Sequence, residues 1–265
     1  WSFGRQLDAQ TDQRLRALAM ERILRPGLHA MRTKQYAWMK STANWRIIIC
    51  SMMGLGALTF AEDCPEAREM LDYALEGVLV GLGTGDRAGG WNEGPGYWEY
   101  GLAFAARFAW LLRAMSRGQI DLFRHPFLRR TGDFRLYMAT HDKEVWNWSD
   151  GGKQIGRSTI LAILARAYHQ PAYQQLLLQE GLDSLGQLYY FDPTVPAERN
   201  AKSPMPLVKH FPGCGVLVAR TGFGEQDTFV GVKAADIPHY NHHCHQDGGS
   251  LVIHAAGREL LAENI

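Results

Sequence analysis

Four of the ten histidines fall in the run His239-Tyr240-Asn241-His242-His243-Cys244-His245, followed at once by Gln246-Asp247-Gly248-Gly249-Ser250-Leu251. Imidazole changes charge near neutral pH and also ligates metals, so a cluster of this kind suits proton transfer or ion binding. In an extended segment, side chains at i and i+2 share a face. His243 and His245 are therefore expected to point the same way, sharing one ion or dividing the work between ion and substrate. A solvated polar loop is the plainer reading, but the run leads into an alternating apolar segment, as a strand would.

Other chemistry-bearing residues lie far upstream. Asn44 falls in the first turn of an otherwise apolar helix. It reads either as a capping amide or as an amide at a cleft floor, ready to bond a carboxylate. Tyr97 directly follows the bend Gly94-Pro95-Gly96, and Tyr100 follows one turn later. A phenol on a glycine-hinged loop can act as acid or base if neighbours shift its pKa, and Tyr97 is the better placed of the two. Core packing is the alternative for at least one of them. Glu93 and Glu99 suggest the paired carboxylates of a glycosidase, although their spacing suits loop bracing and a helix surface better. Arg124, Arg129, Arg130 and Arg135 read as a solvated face, or as forks for carboxylate and sulfate groups.

The elements that must position these groups are helices first and strands second. Residues 8–25 read as an amphipathic helix with Leu15, Leu18, Ala19, Ile23 and Leu24 on one face, ended by Pro26-Gly27. A second helix over 42–60 is apolar around most of its circumference, from Trp45 and Ile48 to Leu58. A third starts at Pro65-Glu66 and runs to the glycines at 81, 83 and 85. After the loop around Gly94-Pro95-Gly96 comes a long helix carrying Phe104, Phe108, Leu111, Leu112 and Met115. Residues 121–150 are mixed and end in Val145-Trp146-Asn147-Trp148-Ser149-Asp150-Gly151-Gly152. Two more helices are expected at 155–168 and 171–180. Pro193, Pro196, Pro204, Pro206 and Pro212 mark a linker. Beyond it, strands are expected at 215–220, 228–233, 250–254 and 258–262. The expected organisation is α+β and multidomain: helices over 1–190, linker 191–209, strands over 210–265. Four short strands cannot close a sandwich, so a piece of a longer protein is expected.

Composition sets limits. A formal charge of +1 excludes a strongly basic, nucleic-acid-like surface but leaves room for a local cationic groove. Eight tryptophans and ten tyrosines suit a sugar-binding cleft as well as an ordinary core. Cys50, Cys64, Cys214 and Cys244 have neither zinc-knuckle nor disulfide-framework spacing. No apolar run is long enough for a membrane span.

Three stretches together resemble the heparinase II/III superfamily of polysaccharide lyases. They are Gly90-Trp91-Asn92-Glu93-Gly94-Pro95-Gly96-Tyr97-Trp98, the pair Asn44-Trp45, and His243-Cys244-His245-Gln246-Asp247-Gly248-Gly249-Ser250-Leu251. The resemblance implies an incomplete (α/α) toroid followed by an antiparallel β-sandwich, with the active cleft between them. It implies β-elimination on uronic-acid-containing glycans such as heparin, heparan sulfate or alginate. By position, Asn44 would neutralise the uronate carboxylate, Tyr97 would act at the glycosidic oxygen or C5, and His243 would be base or stabiliser. Trp45, Glu93, Tyr100 and Arg129 would line the substrate site. His245 would be the first ligand of a structural zinc, with Glu263 completing part of the site and a further histidine beyond Ile265. Trp45 stands where several relatives carry histidine, and Glu263 where aspartate is usual. The implied partner is an acidic polysaccharide or oligosaccharide, the implied location periplasmic or secreted, and a homodimer is compatible with both. The rival functions are a uronate C5-epimerase and a non-catalytic glycan-binding protein on the same scaffold. A cupin-like oxygenase also uses His-x-His on a strand, but it would want a glutamate where Gly249 and Ser250 stand.

Overall fold

The structure is a computed structural model that describes residues 7–62, 64–140, 144–154, 158–197, 205–234, 243–245 and 247–262. Nine α-helices precede five strands among these residues. Helix α1 (Ala9–Ala19), a π-helical turn (Met20–Leu24) and α2 (Arg25–Thr33) run on without a break. This corrects the expected stop at Pro26. The Arg25 N–H reaches back to the Met20 carbonyl in the π-helical turn, and Pro26, which has no N–H to give, follows directly at the start of α2. The expected apolar face is corrected too. Leu15, Leu18 and Ile23 are exposed, and Met20, Leu24, Leu28 and Met31 carry the burial.

Helix α3 (Asn44–Thr59) packs against α4 (Ala67–Leu82) and α5 (Gly94–Met115). Contact is close because glycines leave room. A Cβ at Gly54 would strike Phe108, one at Gly77 would strike Cys50, and one at Gly81 would strike Ile47. Helix α6 (Leu128–Met138) lies in the stretch that looked mixed in sequence. Helices α7 (Thr159–Tyr168), α8 (Pro171–Glu180) and the short α9 (Leu185–Tyr190) follow.

The strands β1 (Val208–Phe211), β2 (Val216–Arg220), β3 (Phe229–Lys233), β4 (Ser250–Ala255) and β5 (Arg258–Leu261) form one antiparallel sheet in sequence order. β1 was not expected, because the prolines around it read as linker. One sheet face joins the helical core, with Phe211 edge-on to Phe134 and Tyr137, and Phe229 edge-on to Trp146. None of the four cysteines is in a disulfide. Among the described residues, no helix is long and apolar enough to cross a membrane.

Candidate functional site

Two buried segments meet at Glu93, the residue before α5. Asn44 opens α3, but its side chain does not cap that helix. The Glu93 carboxylate does so from outside. The Asn44 backbone N–H donates to Glu93 Oε2 at 2.8 Å, and the Asn44 amide Nδ2 donates to Oε1 at 3.4 Å. Trp91 Nε1 donates to Oε2 at 3.1 Å. A carboxylate suits the first turn of a helix, where unpaired N–H groups and the dipole favour negative charge. Burial nevertheless holds the Glu93 carboxyl above its ordinary range, against these donors and nearby His243. Asn44 itself is fully buried, and its Oδ1 has no hydrogen-bond partner among the described residues.

Tyr97 lies in the first turn of α5. Gly94 makes that turn possible at φ +80°, where a side chain would run into the Trp148 carbonyl. The Tyr97 ring stacks on His243 with centroids 3.7 Å apart and planes at 14°. Rings stacked face to face cannot share an in-plane hydrogen bond, so phenol and imidazole each keep a polar edge for a ligand. Burial, reinforced by Asp150, Glu93 and Tyr100, raises the Tyr97 pKa, so the phenol holds its proton at neutral pH. Tyr100 meets Tyr97 edge-on and is largely exposed.

The histidine segment is held on both sides. Cys244 Sγ donates to the Asn92 carbonyl at 3.1 Å, and the Asp150 N–H donates to the His243 carbonyl at 3.3 Å. The Asp150 carboxylate then reaches both imidazoles: Oδ2 lies 2.9 Å from His243 Nδ1, and Oδ1 lies 2.6 Å from His245 Nε2. These contacts pull the Asp150 pKa below the usual carboxylate range, His243 contributing most. Downstream, Asp247 pairs with the fully buried Lys233 at the end of β3.

The structure thus brings Asn44, Glu93, Tyr97, Tyr100, His243 and His245 into one region. Trp45 neighbours Asn44 in the chain but is 47% exposed. Arg129 is not brought there: it is exposed on the first turn of α6, near Tyr168. Glu99 belongs to a different network, at the start of α7, so it forms no carboxylate pair with Glu93. His239, Tyr240, Asn241, His242, Gln246 and the expected ligand Glu263 lie outside the described residues. Among the described residues, no three His, Cys, Asp or Glu side chains are grouped to hold a metal ion. His245 Nε2 is engaged by Asp150 instead, so these residues do not make up a zinc site by themselves. Asp150 is the site residue that sequence reasoning passed over. Its signal was an aspartate flanked by Trp146, Trp148 and two glycines.

No family model and no curated protein sequence matches the chain. Solved structures do match. A structure of heparinase III superposes with a TM-score of 0.61 at 15% identity, covering 82% of this chain and 34% of that one. A heparan sulfate lyase HepC from Pedobacter heparinus gives a TM-score of 0.59 at 12% identity, over 88% of this chain and 33% of that one. The class defined here is therefore a fold: helices followed by an antiparallel sheet, shared with the heparinase III structures. The chain spans about a third of the length of those it matches.

Proposed function

We propose that the chain acts as a polysaccharide lyase on uronic-acid-containing glycans of the heparin, heparan sulfate or alginate kind, by β-elimination. The observation that carries this reading is the meeting of amide, phenol and imidazole around Glu93 and Asp150, from α3, α5 and the segment before β4. The C5–H of a uronate is weakly acidic while its carboxylate keeps full charge. A donor to that carboxylate acts where charge develops and lowers the barrier. In this reading Asn44 is that donor. Because it is fully buried, a neighbour such as the half-exposed Trp45 must shift as the ligand enters. His243 removes the C5 proton, the C4–O bond breaks as the C4–C5 double bond forms, and protonated Tyr97 delivers its proton to the departing oxygen.

The same reading takes the sheet as one layer of a sandwich and the helices as part of a toroid. Its outer face supports the first: Leu217, Val232 and Leu251 line up across β2, β3 and β4. Zinc, held by His245 with Glu263, rests on the resemblance alone and is tested by metal analysis of the purified chain. A location in the periplasm or outside the cell follows from the substrate class.

The test is release of unsaturated uronate, followed by absorbance, from heparin, heparan sulfate, chondroitin and alginate. Tyr97→Phe and His243→Ala should each reduce the rate about 10²-fold or more on the cleaved polymer while the fold is kept. Near wild-type turnover by the phenylalanine variant would remove Tyr97 from the chemistry. Proton exchange at C5 without a double bond would indicate the epimerase.

A further inference from the structure

Asp150 has no role in the reading above, yet it is the residue on which His243 and His245, the two described histidines of the cluster, converge. We propose that Asp150 is a positioning residue, which fixes His243 as the Nδ1–H tautomer and so makes Nε2 the nitrogen that meets the substrate. The inference rests on the lyase reading for its consequence, but not for its geometry. An ionised carboxylate accepts hydrogen bonds and cannot donate them. With Oδ2 2.9 Å from His243 Nδ1, a proton must sit on Nδ1, and in the neutral ring the lone pair is therefore left on Nε2. A second contact fixes the ring's direction, since the Asp150 N–H donates to the His243 carbonyl at 3.3 Å. The third restraint is the stacked Tyr97 ring, 3.7 Å away. Backbone, carboxylate and aromatic face thus hold the imidazole in tautomer, direction and plane.

The loop that carries Asp150 is built to hold this position. Ser149 is buried at φ +76°, a left-handed conformation that a serine adopts only when its surroundings impose it. Asn147 braces it, its Nδ2 donating to the Ser149 carbonyl at 3.5 Å while its Oδ1 accepts from the Gly96 N–H at 3.4 Å. Gly96 adjoins Tyr97, so one loop sets both members of the stacked pair. At the loop's far end Lys153 pairs with Glu259 of β5 at 2.7 Å. The Asp150 side chain is itself 47% exposed, so replacing it leaves the core intact.

The experiment uses the full chain as wild type, Asp150→Ala and Asp150→Glu, with thermal melts to show that each folds. Nitrogen-15 NMR of the imidazoles, with His243 assigned by its own substitution, reads the tautomer. Product absorbance separates kcat from KM. Wild type should show His243 protonated at Nδ1. Asp150→Ala should mix the tautomers and lower kcat about 10²-fold, the scale of a misplaced reacting group, with KM little changed. Asp150→Glu should restore the tautomer and part of kcat. A wild-type His243 bare at Nδ1 overturns the proposal, as does an Asp150→Ala chain with unaltered tautomer and kcat. If wild type cleaves no uronate polymer, the lyase reading fails, and the tautomer measurement alone decides the role of Asp150.

Discussion

Among the described residues, every hydrogen-bond partner of Glu93 is an N–H donor: the Asn44 backbone, the Asn44 amide and the Trp91 indole. That makes the site selective for an acceptor-only group. Glu93→Gln keeps the size but turns one NH₂ towards these donors, leaving at least one buried N–H without an acceptor. The expected loss of stability is roughly 1–3 kcal/mol, measured by denaturant unfolding. A neutral result would mean that the wild-type carboxyl is already protonated, as burial alone would favour. At this scale the sequence was informative about residue types but not about partners. Asn44 was legible as an amide in a helix's first turn, with capping as one of two readings. What could not be read was a cap supplied from 49 residues away. Arg135 shows the same limit. Four arginines looked like one face, yet Arg124, Arg129 and Arg130 are exposed while Arg135 is fully buried against Glu180.

Helices α3, α4 and α5 were legible because their apolar positions repeat at helical spacing and glycine or proline marks their ends. α6 was not, because the buried Arg135 and the small Thr131 and Gly132 interrupt its apolar period. Between elements, the Glu99 carboxyl ties α5 to α7. It accepts from the Thr159 N–H at 3.0 Å and the Ile160 N–H at 3.5 Å, and it bonds Ser158 Oγ. Burial is the main reason that its pKa is pushed up to about 7, from an ordinary 4.5, with the Glu180 charge adding to the rise and Ser158, Ile160 and Arg135 opposing it. The folded carboxyl therefore holds its proton more tightly than the unfolded one. Protonation favours the fold, so this contribution is fully present below about pH 4.5 and is lost as pH rises through about 7. Glu99→Gln mimics the protonated form, accepting from the α7 N–H groups and donating to Ser158. It should match wild type near pH 5 and exceed it by roughly 1–3 kcal/mol near pH 8. Thermal melts of both proteins across that range provide the check, and parallel curves would show that Glu99 does not titrate between the two states.

At the scale of the whole molecule, the unusual surface is the outer face of the sheet. An antiparallel sheet with one side in water alternates apolar and polar residues along each strand. Here both sides are apolar. The inner side carries Phe211, Val216, Val218, Phe229 and Val252, all buried. The outer side carries two rows set by the register: Leu217, Val232 and Leu251, with His210 at the β1 end, and then Val208, Ala219, Val230, Ile253 and Leu261. Val208, Leu217, Leu251 and Leu261 are exposed. The period-two pattern revealed four of these strands, but alternation by itself does not say which face meets water when both sets of residues are apolar. A contiguous apolar face on one layer is the surface that a second layer covers, and left open it associates with whatever apolar surface it meets. The 265-residue chain is therefore expected to bind a hydrophobic fluorescent dye and to self-associate as its concentration rises. The double substitution Leu217→Lys and Leu251→Lys should weaken both effects, while the melting temperature stays within a few degrees of wild type, because neither residue supports the core. Dye binding and sedimentation of the two proteins side by side measure this. A wild-type chain that stays monomeric and binds no dye would show that the face is already satisfied, and would remove the main support for a sandwich.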